Sequence, residues 1–410
     1  MTHASLTPDA AELVAWTVEV DDPGELLTWL PAGESFAFLR GGDGIVGWGE
    51  AARLATDSAG DVQALLGGIT TRDDVGMPGS GAVAIASLGF DPDVDASVVV
   101  VPKVVLGRRE GRSWLTLVTP PGAVEVPALR RRPVAVASTP PSSVSAALPS
   151  EPQWHEVIAD AVTALRSGTL QKVVLARAIE VTAQAPLDGR AIAARMATRF
   201  PSCFTFLCDG LVGASPELLI RRLGRHAESL VLAGTIRRGS SPEEDAALEH
   251  ELLTSAKDTE EHRMAAVSVR DVLAAVAVDV VADERPQLLR LANLSHLATH
   301  IDAWLPQPAP SALALAALLH PSAAVGGTPK AIALEMISRL EAAPRGRYAA
   351  PIGWVDANGD GEFAIALRCA QLSGNVARLW AGGGIVADSD PAAEVAETTV
   401  KFDAVLSALT

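Results

Sequence analysis

The sequence predicts an α+β fold, and three observations carry that reading. Strand-like runs follow one another in hairpin style with helices interspersed, which argues against a doubly wound parallel sheet. Gly41-Gly-Asp-Gly44 joins two such runs as a hairpin turn would. Hydrophobic residues make up 49% of the 410-residue chain and charged residues 20%, enough to bury a large core as one big domain or two ordinary ones.

Ser35–Arg40 and residues 45–49 are the strands beside that turn, and 97–102 and 113–118 are two more. Residues 119–153 are rich in Pro, Ser and Ala around Arg130-Arg-Arg132; they read as a linker or as a long surface crossing within one domain. Beyond it the pattern gives a helix over 154–166, a strand over 173–181 and a helix over 191–199. Residues 203–207 and 217–221 look like an antiparallel pair. Ser241-Pro242, followed by Glu243, Glu244 and Asp245, opens a helix with its acids in the first turn. Further helices cover 258–275 and run from 391 to 409.

Composition excludes several functions. A formal charge of −16 argues against a general nucleic-acid surface. Three cysteines without framework spacing suit a reducing cytoplasm. The N-terminus lacks the basic and apolar regions of a signal peptide, and no apolar run approaches the roughly 20 residues of a membrane span. The expectation is a cytoplasmic protein with no nucleic-acid or membrane partner.

Three motifs fail on context. Gly42-Asp-Gly-Ile-Val-Gly47 has dinucleotide-motif spacing, but a strand follows where a helix is needed. Asp356-Ala-Asn-Gly-Asp-Gly361 starts like a calcium loop, yet Leu367 stands where the bidentate acid belongs, so a turn between strands is expected. His296 and His300 stand one helical turn apart, without the glutamate of a zinc-protease motif.

A different constellation survives. Glu394, Glu397 and Lys401 share one helix face at i, i+3 and i+7. Glu261 shares a face with Ala265, Ser268 and Val272 and so points inward, where a carboxylate needs a cation or strong donors. Glutamates from two helices closing on one Mg²⁺ would satisfy both. Gly382-Gly-Gly384 could offer successive backbone N–H groups to an anion, and Arg368, read as ending a strand, could clamp a carboxylate. Only five of 33 basic residues are lysine, and Lys172, Lys257 and Lys401 fall in these segments. A chain that favours Arg elsewhere can keep Lys where a compact charge or a basic amine is needed. The combination suits a small polyanionic substrate.

These segments, with Gln171-Lys-Val-Val-Leu-Ala-Arg177, Gly213-Ala-Ser-Pro-Glu217 and Leu232-Ala-Gly-Thr235, resemble the chorismate-utilising enzymes over about residues 150–405. The resemblance implies one α+β domain, 1–410, with two large antiparallel sheets flanked by helices. In it 1–118 is the N-terminal part, 119–153 a crossing loop and 154–410 the catalytic region. It implies chorismate as substrate and Mg²⁺ on Glu261, Glu394 and Glu397. Lys172 resembles the base of the water-using members, and Glu217 the acid that protonates the departing hydroxyl. Gly234, Thr235, His296, Ala324, Tyr348, Arg368, Gly382, Gly383, Gly384 and Lys401 resemble substrate-binding positions.

Ala233 stands where aminodeoxychorismate synthases resemble one another in a nucleophilic lysine. Ala324 resembles the isochorismate type, whereas Tyr348 looks more like the salicylate type. The reading follows Ala324: an isochorismate synthase feeding menaquinone or siderophore synthesis, expected to be monomeric and to need no amidotransferase subunit. A salicylate synthase and a chorismate-binding subunit without full activity are the alternatives.

Overall fold

The computed structural model describes residues 13–122, 129–132, 142–292 and 294–409. Strand pairing among them is antiparallel except between Val14–Val20 and Thr70–Asp73. The strands form two long arms. The first runs from Asp43–Leu54 through Ser35–Arg40, Phe204–Cys208, Leu211–Ser215, Cys369–Ser373 and Val376–Ile385 to Lys172–Ala183 and Ser142–Leu148. The second runs from Val83–Ser87 through Pro351–Asp356, Gly361–Ile365, Leu218–Leu223 and His226–Arg237 to Leu294–Trp304. Both meet at Val98–Arg109, which pairs with Asp43–Leu54 and with Val83–Ser87. The expected two antiparallel sheets are therefore present, joined by one shared strand.

Local sequence explains the elements. Val98–Arg109 opens with four valines, whose branched side chains pack well on a pleated surface. Lys172–Ala183 is buried over most of its length, as a strand covered on both faces must be. Ser255 caps helix Ala256–Ala274 by accepting from the Asp258 N–H at 3.1 Å. Helix Pro391–Leu409 buries Val395, Phe402 and Val405 at helical spacing.

Several expectations are corrected. The strand at 203–207 does not pair with 217–221. Phe204–Cys208 pairs instead with Leu211–Ser215 across Asp209-Gly210, two positive-φ residues that make a tight hairpin. Leu218–Leu223 belongs to the other arm, so the chain changes arms at Pro216-Glu217. The crossing at 119–153 is shorter than expected, because Ser142–Leu148 pairs with Lys172–Ala183 and a helix starts at Glu151; residues 123–128 and 133–141 lie outside the described residues. His296 and His300 sit on strand Leu294–Trp304, not on a helix. Arg368 does not end a strand: it lies between Gly361–Ile365 and Cys369–Ser373, at φ +48°. The hairpin at residues 41–44 and the turn at 356–361 are as expected.

Candidate active site

Two chain crossovers between the arms build the centre of the site. Pro216-Glu217 carries the chain from the first arm to the second, and Ala366-Leu367-Arg368 carries it back. They are tied together: Ile365 N–H donates to Glu217 O and Ala214 N–H donates to Arg368 O, each at 3.2 Å. A side chain at such a point faces neither solvent nor one sheet, but the space between the arms.

Glu217 is only 4% exposed. Burial pushes its carboxyl up to about 8, against the opposing effects of the Leu232 N–H and the Lys172 charge. At neutral pH this favours the protonated form.

Arg368 is buried and donates through Nη2 to Nε2 of His296 at 2.7 Å. A guanidinium can only donate, so Nε2 carries no proton and the ring hydrogen rests on Nδ1. From there it reaches Thr235 Oγ1 at 3.0 Å or Gly234 O at 3.3 Å. Burial, then the charges of Arg368 and Lys401, hold the imidazole well below its ordinary value, so it stays neutral. Gly234 sits in a bulge between Ala233 and Thr235, at φ +73°, which lets its carbonyl face His296. Nη1 of Arg368 is buried without a hydrogen-bond partner. Tyr348 stacks on Trp380 at 5.8 Å, and its hydroxyl lies over Gly382, where a Cβ would come within 3.3 Å of it.

The acidic wall comes from two helices. Glu261 lies on Ala256–Ala274; Glu394 and Glu397 lie on Pro391–Leu409. Both helices bring their carboxylates over Gly383 and Gly384. A Cβ on Gly383 would lie 3.0 Å from Glu394 Oε2 and 3.9 Å from Glu397 Oε1; one on Gly384 would collide with Glu261 Oε1. Each acid has a lysine: Lys172 to Glu261 at 3.1 Å, Lys257 to Glu394 at 3.1 Å and Lys401 to Glu397 at 2.6 Å. Burial, then the Glu397 charge, pushes the Glu394 carboxyl up, and its Oε2 is buried without a partner. The three carboxylates border the same two glycines, and the orphaned buried oxygen of Glu394 is a ligand of the kind a hard divalent cation takes.

Glu217, Gly234, Thr235, Glu261, His296, Ala324, Tyr348, Arg368, Gly382, Gly383, Gly384, Glu397 and Lys401 all line one cavity. Lys172 and Glu394 stand just behind that lining. Lys172 is fully buried against Glu261, and Glu394 is 2% exposed beneath Gly383. The glycines do not form a turn-like nest. They continue strand Val376–Ile385, and their missing side chains make room for the acids. Lys401 also donates to Gly382 O at 2.8 Å.

Sequence reasoning singled out Lys257 without giving it a role, and missed Asp258, Arg345 and Trp380 among the lining residues. The scarcity of lysine was the signal for Lys257. Arg345 gave none: it is 3% exposed and donates to Val174 O at 2.7 Å and Val325 O at 2.8 Å, while its partner Glu341 accepts from the Ala176 N–H at 2.8 Å. This ion pair takes the place of a neighbouring strand beside Val174 and Ala176.

The chain is similar to known proteins over most of its length. The family model for chorismate binding enzymes matches residues 10–410. A protein of Mycobacterium tuberculosis (strain H37Rv), provisionally named isochorismate synthase MenF, is 38% identical over 346 residues, covering 81% of this chain and 87% of that one. Isochorismate synthase DhbC of Bacillus subtilis (strain 168) is 36% identical over 273 residues, covering 64% and 69%. Among solved structures, MenF, the menaquinone-specific isochorismate synthase from Escherichia coli, superposes with a TM-score of 0.82 at 25% identity, over 97% of this chain and 95% of that one. Anthranilate synthase component I from Streptococcus pneumoniae shares the fold, with a TM-score of 0.70 at 18% identity over 92% and 93%.

Proposed function

The chain belongs to the chorismate-binding enzyme family, and on that premise we propose that it is a Mg²⁺-dependent isochorismate synthase, an isomerase that moves a hydroxyl around the ring of chorismate. One observation carries the choice of chemistry. A buried acid that holds its proton, Glu217, and a buried amine, Lys172, flank the same cavity.

On this reading Lys172 takes a proton from the water that attacks ring carbon 2. The ring double bonds shift, and the hydroxyl on carbon 4 leaves with the proton of Glu217. Arg368, with its free Nη1, and Tyr348 hold the enolpyruvyl carboxylate. His296 keeps Arg368 aimed, and Thr235 and Gly234 border the ring. Ala324 leaves space in the lining where the lyase-type members resemble one another in a threonine. Glu261, Glu394 and Glu397 would hold the metal, and Lys401 balances their charge. When bound, Mg²⁺ supplies positive charge to the ring carboxylate of the substrate.

Ala233, lying in the cavity wall, leaves no amine there for covalent attack on the ring. We read the protein as acting without an amidotransferase subunit and as a monomer. Among the described residues no helix is long and apolar enough to cross a membrane.

The test is product analysis. Purified protein is incubated with chorismate, with Mg²⁺ or with EDTA, and the products are separated by chromatography. A Mg²⁺-dependent mixture of chorismate and isochorismate without pyruvate is expected. Salicylate with pyruvate would instead make the chain a salicylate synthase. No conversion would leave a chorismate-binding subunit.

A further inference from the structure

A second group of ligating side chains lies away from the cavity, on strands His226–Arg237 and Leu294–Trp304. Glu228 is paired directly across from Asp302, His226 from Trp304, and Leu230 from His300. Alternation puts all six on one face of the ribbon. Helix Ala256–Ala274 covers the other face, where His262 meets Thr299 at 2.7 Å.

The ligand atoms of Glu228, His300 and Asp302 converge, with His226 beside them. His226 Nε2 is 2.8 Å from Asp302 Oδ1. His300 Nδ1 is 3.7 Å from Asp302 Oδ2, and His300 Nε2 is 3.9 Å from Glu228 Oε2. Ligands at zinc distances around one ion stand roughly 3.4 Å apart; with one atom taken from each, Glu228, His300 and Asp302 all lie within 4.8 Å of one another, while His226 is held to the other oxygen of Asp302. Directly opposed carboxylates on neighbouring strands repel. Arg221 relieves this on one side only: it takes Glu228 Oε1 and leaves Oε2 turned toward His300. The side chains are partly exposed, with His226 at 42%, His300 at 43% and Asp302 at 36%, so an ion can reach them.

We propose that Glu228, His300 and Asp302 form a binding site for a first-row divalent metal such as zinc, separate from the catalytic carboxylates, with His226 holding Asp302 from behind. The donor set sorts the two sites. One imidazole with two carboxylates suits zinc, cobalt or nickel, whereas the oxygen-only glutamates of the cavity suit magnesium. The proposal does not depend on the reaction the cavity performs.

Untagged protein held in excess Mg²⁺ is loaded with Zn²⁺, dialysed against zinc-free buffer and assayed for metal by mass spectrometry. One zinc per chain is expected to remain. His300→Ala and Asp302→Asn should bind at least about tenfold more weakly, with unchanged circular dichroism. Glu261→Gln, in the cavity, should keep its zinc. The site is overturned if wild-type protein retains none, leaving His226 and Asp302 as an ordinary ion pair. It is also overturned if His300→Ala retains as much, or if Glu261→Gln loses the ion. In a second measurement Co²⁺ should quench the fluorescence of Trp304, whose ring lies 5.3 Å from that of His226. Quenching that survives in Trp304→Phe would count against the site.

Discussion

Arg368 and His296 meet at 2.7 Å, guanidinium to bare imidazole nitrogen, and neither residue can be understood without the other. The histidine accepts from one end of a fork whose other end is free for a carboxylate. His296→Ala removes that acceptor and lets the fork swing. A hydrogen bond to a charged group is worth about 1.5–3 kcal/mol, so KM for chorismate should rise roughly 10- to 100-fold. His296→Gln, which can still accept, should recover part of it. Steady-state kinetics give the answer, and an unchanged KM in His296→Ala would remove the orienting role.

Glu217 ties activity to pH. Its carboxyl titrates at about 8, because burial penalises the charged form. An acid must hold its proton to donate it, so kcat should fall as pH rises through about 8. Stability follows the same proton. Between the ordinary value of 4.5 and about 8 the folded protein keeps a proton that the unfolded chain releases. Stability should therefore decline as pH rises through that window. Glu217→Gln should lower kcat by about 10²–10⁴-fold and flatten the stability profile. A mutant with normal turnover would exclude Glu217 as the acid.

The acidic wall predicts a ranking at the glycines. A Cβ on Gly384 strikes Glu261 and comes within 3.0 Å of Lys172 Cε, whereas one on Gly383 only crowds Glu394 Oε2 at 3.0 Å. Gly384→Ala should therefore cost more activity than Gly383→Ala. Glu394→Gln should raise the Mg²⁺ concentration needed for half activity at least about tenfold. EDTA should abolish turnover in the wild type. Titrating activity with Mg²⁺ checks all four, and a metal requirement indifferent to Glu394 would remove it from the ligand set.

Arg345 and Glu341 should behave as a structural pair. They are 2% and 6% exposed at the side chain, and they bond the backbone at Val174, Val325 and Ala176. Arg345→Met leaves Glu341 buried without its cation, a loss of about 3–5 kcal/mol. Denaturant unfolding measures it. Unfolding at the wild-type midpoint would mean that the pair is dispensable to the fold.

What the sequence determined by itself was local and chemical. Hairpin turns, helix caps, the inward face of Glu261 and the shared face of Glu394, Glu397 and Lys401 follow from spacing and residue type, which depend on a few neighbours. The motifs also carried the family, since their order and content survive in the chain itself. Tertiary structure decided what depends on distant partners. Residues 203–207 looked like a partner for 217–221 because both are strand-like and near in sequence. Only the completed sheets reveal that the chain changes arms at Glu217, and that this change buries the acid. The same holds for Gly382–Gly384, whose composition suggested an anion-binding nest. Their strand is fixed by Lys172–Ala183, some two hundred residues earlier. Their lack of side chains is explained only by the glutamates that two helices bring over them.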